Sequence, residues 1–184
     1  MISFPRSGNL TRLAILVGLT IGVSACATPS ETGRMSVVAL LDQPSFPSAL
    51  QHTVCIRTVK GGETTNPLWV SKVDSKDFES ALSVSMESAG LIAPPGACKY
   101  SLDVNLLGLS QPSFGLDMEV TSHVNYKVFD NTAQAILLET ISAPFTATFS
   151  DSPIGFVRIK RANEGSIRAS ISQFLEKLHG IKLT

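Results

Sequence analysis

The chain has 184 residues, with 15 Lys and Arg balanced by 15 Asp and Glu, 43% hydrophobic residues and 16% charged ones. That length carries one domain with a sizeable core, and the apolar content is too high for a disordered chain. A charge near zero excludes the basic excess expected of a nucleic-acid binder, and three cysteines exclude a disulfide-dense scaffold and a four-thiolate zinc site.

The first 26 residues read as an export signal. Arg6 and Arg12 precede an apolar run of about eleven residues, Leu13 to Val23, and the first acidic residue is Glu31. A membrane span needs ~20 apolar residues, so this run has the length of a signal h-region instead. It ends in Val23-Ser24-Ala25-Cys26, which resembles a bacterial lipobox, where the signal is cut before the cysteine and the cysteine is acylated. Residues 1–25 are then the signal peptide and Cys26 is the lipidation site. The competing reading is an ordinary secretory signal cut after Ala25. Acylation would anchor the protein stably, since two acyl chains at ~0.8 kcal/mol per buried CH₂ already suffice. Ala27, rather than Asp, follows the cysteine. By the lipoprotein sorting rule this favours the periplasmic face of the outer membrane. Without its signal the chain keeps thirteen basic and fifteen acidic residues, a net −2.

Residues 26–50 are expected to form the lipidated cysteine and a tether, because 27–34 are turn formers without periodicity and Pro44 and Pro47 stop the short apolar run from Met35 to Leu41. Residues 51–184 form the domain. Val54, Ile56 and Thr58 alternate with Cys55, Arg57 and Val59 in a strand pattern that stops at Gly61-Gly62. Asp74 or Ser75 caps a helix through Phe78, Ala81, Leu82, Met86 and Ala89, with Gly90 as its C′ residue. Pro94-Pro95-Gly96 leads to a second strand from Lys99 to Leu109. From Leu116 to Val128 apolar and polar residues alternate strictly, the mark of a half-buried antiparallel strand. Asp130-Asn131-Thr132 turns the chain back as Ala135 to Phe149, where Pro144 belongs at a bulge or an edge. A final helix spans about Phe156 to Leu178, with a stripe of Ile167, Ile171, Phe174, Leu175 and Leu178; Gly165 within it calls for close packing or a break.

The order β-α-β-β-β-α predicts an α+β two-layer sandwich. Its first β-α-β unit is parallel, a long antiparallel hairpin extends a mixed sheet, and two helices cover one face.

Candidate chemistry is sparse. Nucleophile-elbow, Walker, Gly-x-Gly-x-x-Gly and zinc-protease motifs are all missing from the sequence, and His52, His123 and His179 lie on separate elements without metal-ligand spacing. No cofactor and no catalytic residue is therefore assigned. His123 shares a polar strand face with Asp117, Glu119, Asn125 and Lys127, so the alternative is a small periplasmic hydrolase or transferase using His123 with a neighbouring carboxylate; the plainer reading is a solvated face. Two readings also stand for Cys55 and Cys98. A disulfide between them would close a 43-residue loop and stabilise by ~4 kcal/mol in the chain-entropy model. Otherwise they are separate thiols packed as small hydrophobes. The last helix is basic, and Arg158, Lys160, Arg161 and Arg168 are candidates for contact with lipid-headgroup phosphates, or else a solvated face.

The lipobox, Phe78-x-x-Ala81-Leu82 ending in Ala89-Gly90-Leu91, Tyr100-x-Leu102, and Arg161 to Arg168 together resemble small envelope lipoproteins of the YajG group. More distantly they resemble the auxiliary lipoproteins of lipid-transporting ABC systems. The resemblance implies a non-catalytic role in envelope assembly or transport, with the membrane and an envelope protein as partners and no nucleic acid. Some sequences of this look are labelled UDP-N-acetylglucosamine acyltransferases, but the hexapeptide repeats of those enzymes are not in this chain.

Overall fold

The computed structural model describes residues 28–38, 46–65 and 71–183. The signal peptide and Cys26 lie outside the described residues. The elements are α1 (Thr32–Met35), β1 (Val54–Gly61), α2 (Ser75–Ser88), β2 (Tyr100–Ser110), β3 (Met118–Asp130), β4 (Ala135–Ala147) and α3 (Gly155–His179). The four strands form one sheet in the order β1-β2-β3-β4. β1 and β2 pair in parallel, whereas β2–β3 and β3–β4 are antiparallel. The α+β sandwich is thus the architecture, with one helix more than the sequence pattern indicated.

Local signals explain the elements. The Asp74 side chain accepts the Asp77 N–H and so caps α2. At its other end Gly90 takes φ +68°, the Gly90 N–H bonds Glu87 O, and the Leu91 N–H reaches back to Met86 O. This is a Schellman stop, which a Cβ would strain and glycine does not. Leu91, next in the chain, is fully buried.

Strict alternation on β3 puts Met118, Val120, Ser122, Val124, Tyr126 and Val128 on the helix-covered face. There Tyr126 stacks on Phe174 of α3, with ring centroids 4.3 Å apart, and its hydroxyl meets Ser170 Oγ at 3.0 Å. Burial pushes the ionisation of that hydroxyl above the ordinary tyrosine range. The apolar stripes of α2 and α3 join this core, each fully buried aliphatic or aromatic side chain contributing ~1.5–3 kcal/mol. Pro144 falls on the edge strand β4, where a missing N–H costs no ladder bond.

The tether expectation for residues 26–50 is corrected over the described residues 28–38 and 46–50. Residues 28–38 form a strap with a short helix that packs into the domain, and both Met35 and Leu50 are fully buried in its core. Ser30 Oγ donates to Lys72 O, the Glu31 N–H to Glu164 Oε1 at 2.8 Å, and the Val37 N–H to Ser85 Oγ. Turn-forming composition describes how this segment bends, and says nothing about distant groups that hold it.

Candidate functional site

Where the strap crosses α3, opposite charges interlock. Lys160 Nζ lies 2.8 Å from Glu31 Oε1 and 3.8 Å from Glu164 Oε1, while Arg34 Nε lies 3.1 Å from Glu31 and 3.8 Å from Glu164. Burial is the leading influence on Glu164 and raises its pKa above the usual carboxylate range. Glu31, at the surface, is held below that range by its bonds to Lys160 and Arg34. Beside this lattice, between α1, α3 and the end of β4, opens a cavity of about 330 Å³ lined by Arg34, Phe145, Ala147, Asp151, Arg161, Glu164, Gly165 and Arg168. Gly165 is required there, because a Cβ on it would fall inside the Phe145 ring. Of the two readings of this mid-helix glycine, close packing or a break, the structure contains close packing in an unbroken helix. Three arginines set against two carboxylates suit recognition of an anionic group.

The structure does not bring the four cations together as one face. Arg158 is buried; it donates to Ser152 O and Gly115 O, and its guanidinium covers the Phe149 ring, 5.4 Å from the centroid. Lys160 also donates to Thr28 Oγ1, and so holds the strap. Arg161 donates to Asp151 O but, with Arg168, still lines the cavity. Periodicity alone could not separate the cations tied to loops from those left at a cavity wall. Arg34, Asp151 and Glu164 belong to the same site, and no sequence pattern marks them: they come from the strap, the loop before α3 and α3 itself, which only the fold brings together.

His123 lies on the open sheet face. Its Nε2 meets Ser110 Oγ at 3.1 Å and its Nδ1 meets Ser142 Oγ at 2.9 Å. Both ring nitrogens are thus taken by hydroxyls rather than by the carboxylate of the alternative reading; Glu119, four residues away on the same strand, accepts from Thr146 across the strand pair. The same face carries Asn125 bonded to Thr140, and Arg57 paired with Asp103 at β1–β2. Cys55 and Cys98 are joined by a disulfide, with Cα atoms 5.6 Å apart. The backbone makes this reach available, since the Lys99 and Tyr100 N–H groups both bond Thr53 O and bring the approach to β2 alongside the start of β1.

No family model matches the chain, and no curated protein matches it. Solved structures do. A protein of the DUF330 family from Xanthomonas campestris is similar with TM-score 0.54 and 11% identity, over 80% of this chain and 92% of that one. A hypothetical protein from Chlamydia trachomatis is similar with TM-score 0.51 and 12% identity, over 71% of this chain and 97% of that one. The likeness is one of fold. Among the described residues no helix is long and apolar enough to cross a membrane.

Proposed function

We propose that this chain is a lipoprotein anchored through Cys26 to the periplasmic face of the outer membrane. In this reading its domain binds a protein partner or lipid in envelope assembly or transport and catalyses no reaction. The observation that carries the reading is the charged n-region, short apolar run and Val23-Ser24-Ala25-Cys26 in register at the N-terminus. A disulfide between Cys55 and Cys98 fits the oxidising compartment that such a signal implies. The arginine-lined cavity offers an anionic group a place to bind. The likeness to the YajG group and to auxiliary lipoproteins of lipid-transporting ABC systems rests on the sequence patterns and agrees with a binding role.

The test is in-cell crosslinking of the tagged protein, with mass spectrometry of both proteins and lipids in the purified adducts. The reading expects one dominant envelope protein or an enriched lipid, and substitution of Arg161 and Arg168 by Ser reduces it. Adducts with neither, or turnover of a small substrate that His123→Ala abolishes, would overturn it.

A further inference from the structure

One end of the sandwich gathers exposed apolar side chains on two neighbouring loops. The loop 111–117 between β2 and β3 presents Phe114, 88% exposed, and Leu116, 74% exposed; the loop 148–154 before α3 presents Phe149 and Ile154, each about half exposed. The two loops are laced together. The Phe149 N–H donates to Asp117 Oδ1, and Arg158 bonds Gly115 O while covering the Phe149 ring. Four large apolar side chains held out on two ordered loops are a costly way to face water, and such clusters mark contact surfaces.

The strap says what that surface meets. Running backwards along the chain, it leaves α2 at Val37, crosses α3 beside Glu164 at Glu31, and reaches Lys160, one turn nearer the start of α3, at Thr28. Thr28 O accepts from Ser71, and Ser71 O accepts from Gln111, the first residue after β2. Thr28 therefore stands at the same end of the molecule as Phe114, Leu116, Phe149 and Ile154. Cys26 is two residues further, and a peptide chain spans at most ~3.6 Å per residue, so the acylated cysteine lies within about 7 Å of Thr28. Acyl chains on Cys26 begin at the level of the lipid headgroups, and interfacial side chains sit ~5–10 Å into that boundary.

We infer that the domain rests on the membrane by this end, with the loops 111–117 and 148–154 inserted into the headgroup region of the leaflet that holds the Cys26 acyl chains. The inference rests on the proposed anchor, and its occupant is a phospholipid surface. Residues 28–38 are the device that makes it so: they are fixed to α2 and α3, which leaves the anchor too little slack for the domain to stand away from the bilayer.

The experiment uses the full lipidated protein in vesicles of phosphatidylethanolamine and phosphatidylglycerol carrying nitroxide-bearing acyl chains. Leu116→Cys and, separately, Phe149→Cys are labelled with an environment-sensitive fluorophore, and Leu138→Cys serves as the comparison. Leu138 is 62% exposed and pairs with Lys127 near the other end of the hairpin. Lipid quenching about threefold or more stronger at 116 and 149 than at 138 is the expected result. Equal quenching at all three positions, or none at 116 and 149, overturns the inference when the mass of the N-terminal peptide shows an acylated Cys26. Protection of the 116 label without lipid quenching also overturns it and makes the surface a protein contact. An unacylated Cys26 brings down the anchor reading and this inference together, so the two failures are distinguishable.

Discussion

The two ends of the β3–β4 hairpin solve the same problem in opposite ways. At the 130–135 end the chain reverses through a turn that satisfies itself: Asp130 Oδ1 accepts the Thr132 N–H, the Thr132 hydroxyl and the Gln134 N–H. The same end carries the Cys55–Cys98 disulfide, because Tyr100 at the start of β2 pairs with Asp130. The 111–117 and 148–154 end has no covalent closure of this kind among the described residues. It is held by a buried arginine and by the N-terminal strap, and it leaves Phe114, Leu116, Phe149 and Ile154 outside. A loop end that is apolar and, on the proposed anchor, next to the acylated cysteine is built for an interface; a polar, self-capped turn is built for water.

The largest effect that can break this contrast is in the strap. Met35 is fully buried, so Met35→Ala should cost ~2–5 kcal/mol, read as a lower denaturant midpoint. A cost below about 1 kcal/mol would mean the strap does not hold the anchor end to the domain. Replacing Cys55 and Cys98 together by Ser should remove ~2–4 kcal/mol through the freed loop, and should leave lipid quenching at Leu116 unchanged because the change lies at the other end.

Gly165→Ala forces a methyl group into the Phe145 ring and should destabilise by ~1–3 kcal/mol. Combining it with Phe145→Leu should recover much of the loss; additive costs would show that the two residues do not couple. The smallest effect is at the polar turn. Hydrogen bonds, led by that from the Thr132 side chain, hold Asp130 below the usual aspartate range. Its contribution is therefore present above the unfolded-state pKa of ~3.9 and is lost as pH falls through the lower folded value. The gap in thermal midpoint between the native protein and Asp130→Asn should close on acidification. A gap independent of pH would contradict the assignment.

Much of the fold was legible because it is written locally. The alternation from Met118 to Val128 is a period-two pattern that only a half-buried strand explains, whereas Leu116, which continues the pattern, lies exposed in the loop before β3; Asp74 and Gly90 bracket α2 by capping chemistry. The strap was illegible for the opposite reason. The partners of Glu31 lie at Lys160 and Glu164, 129 and 133 residues away, and a stretch of Thr, Pro, Ser and Gly has no period that could announce them. The cavity inherited that blindness: Arg161 and Arg168 were visible as cations on a helix, while Arg34 and the floor at Phe145 come from elements that only the fold brings together. His123 stood out by residue type, and its serine neighbours come from the two flanking strands.

The most direct test of the account is the mass of the mature N-terminus from membranes of cells expressing the native chain. Trypsin should release a peptide from Cys26 to Arg34 carrying the added mass of acyl chains, and Cys26→Ala should abolish it. A mature chain that begins at Met1 or at Ala27, or at an unmodified Cys26, would contradict the anchor and with it the membrane-facing end of the molecule.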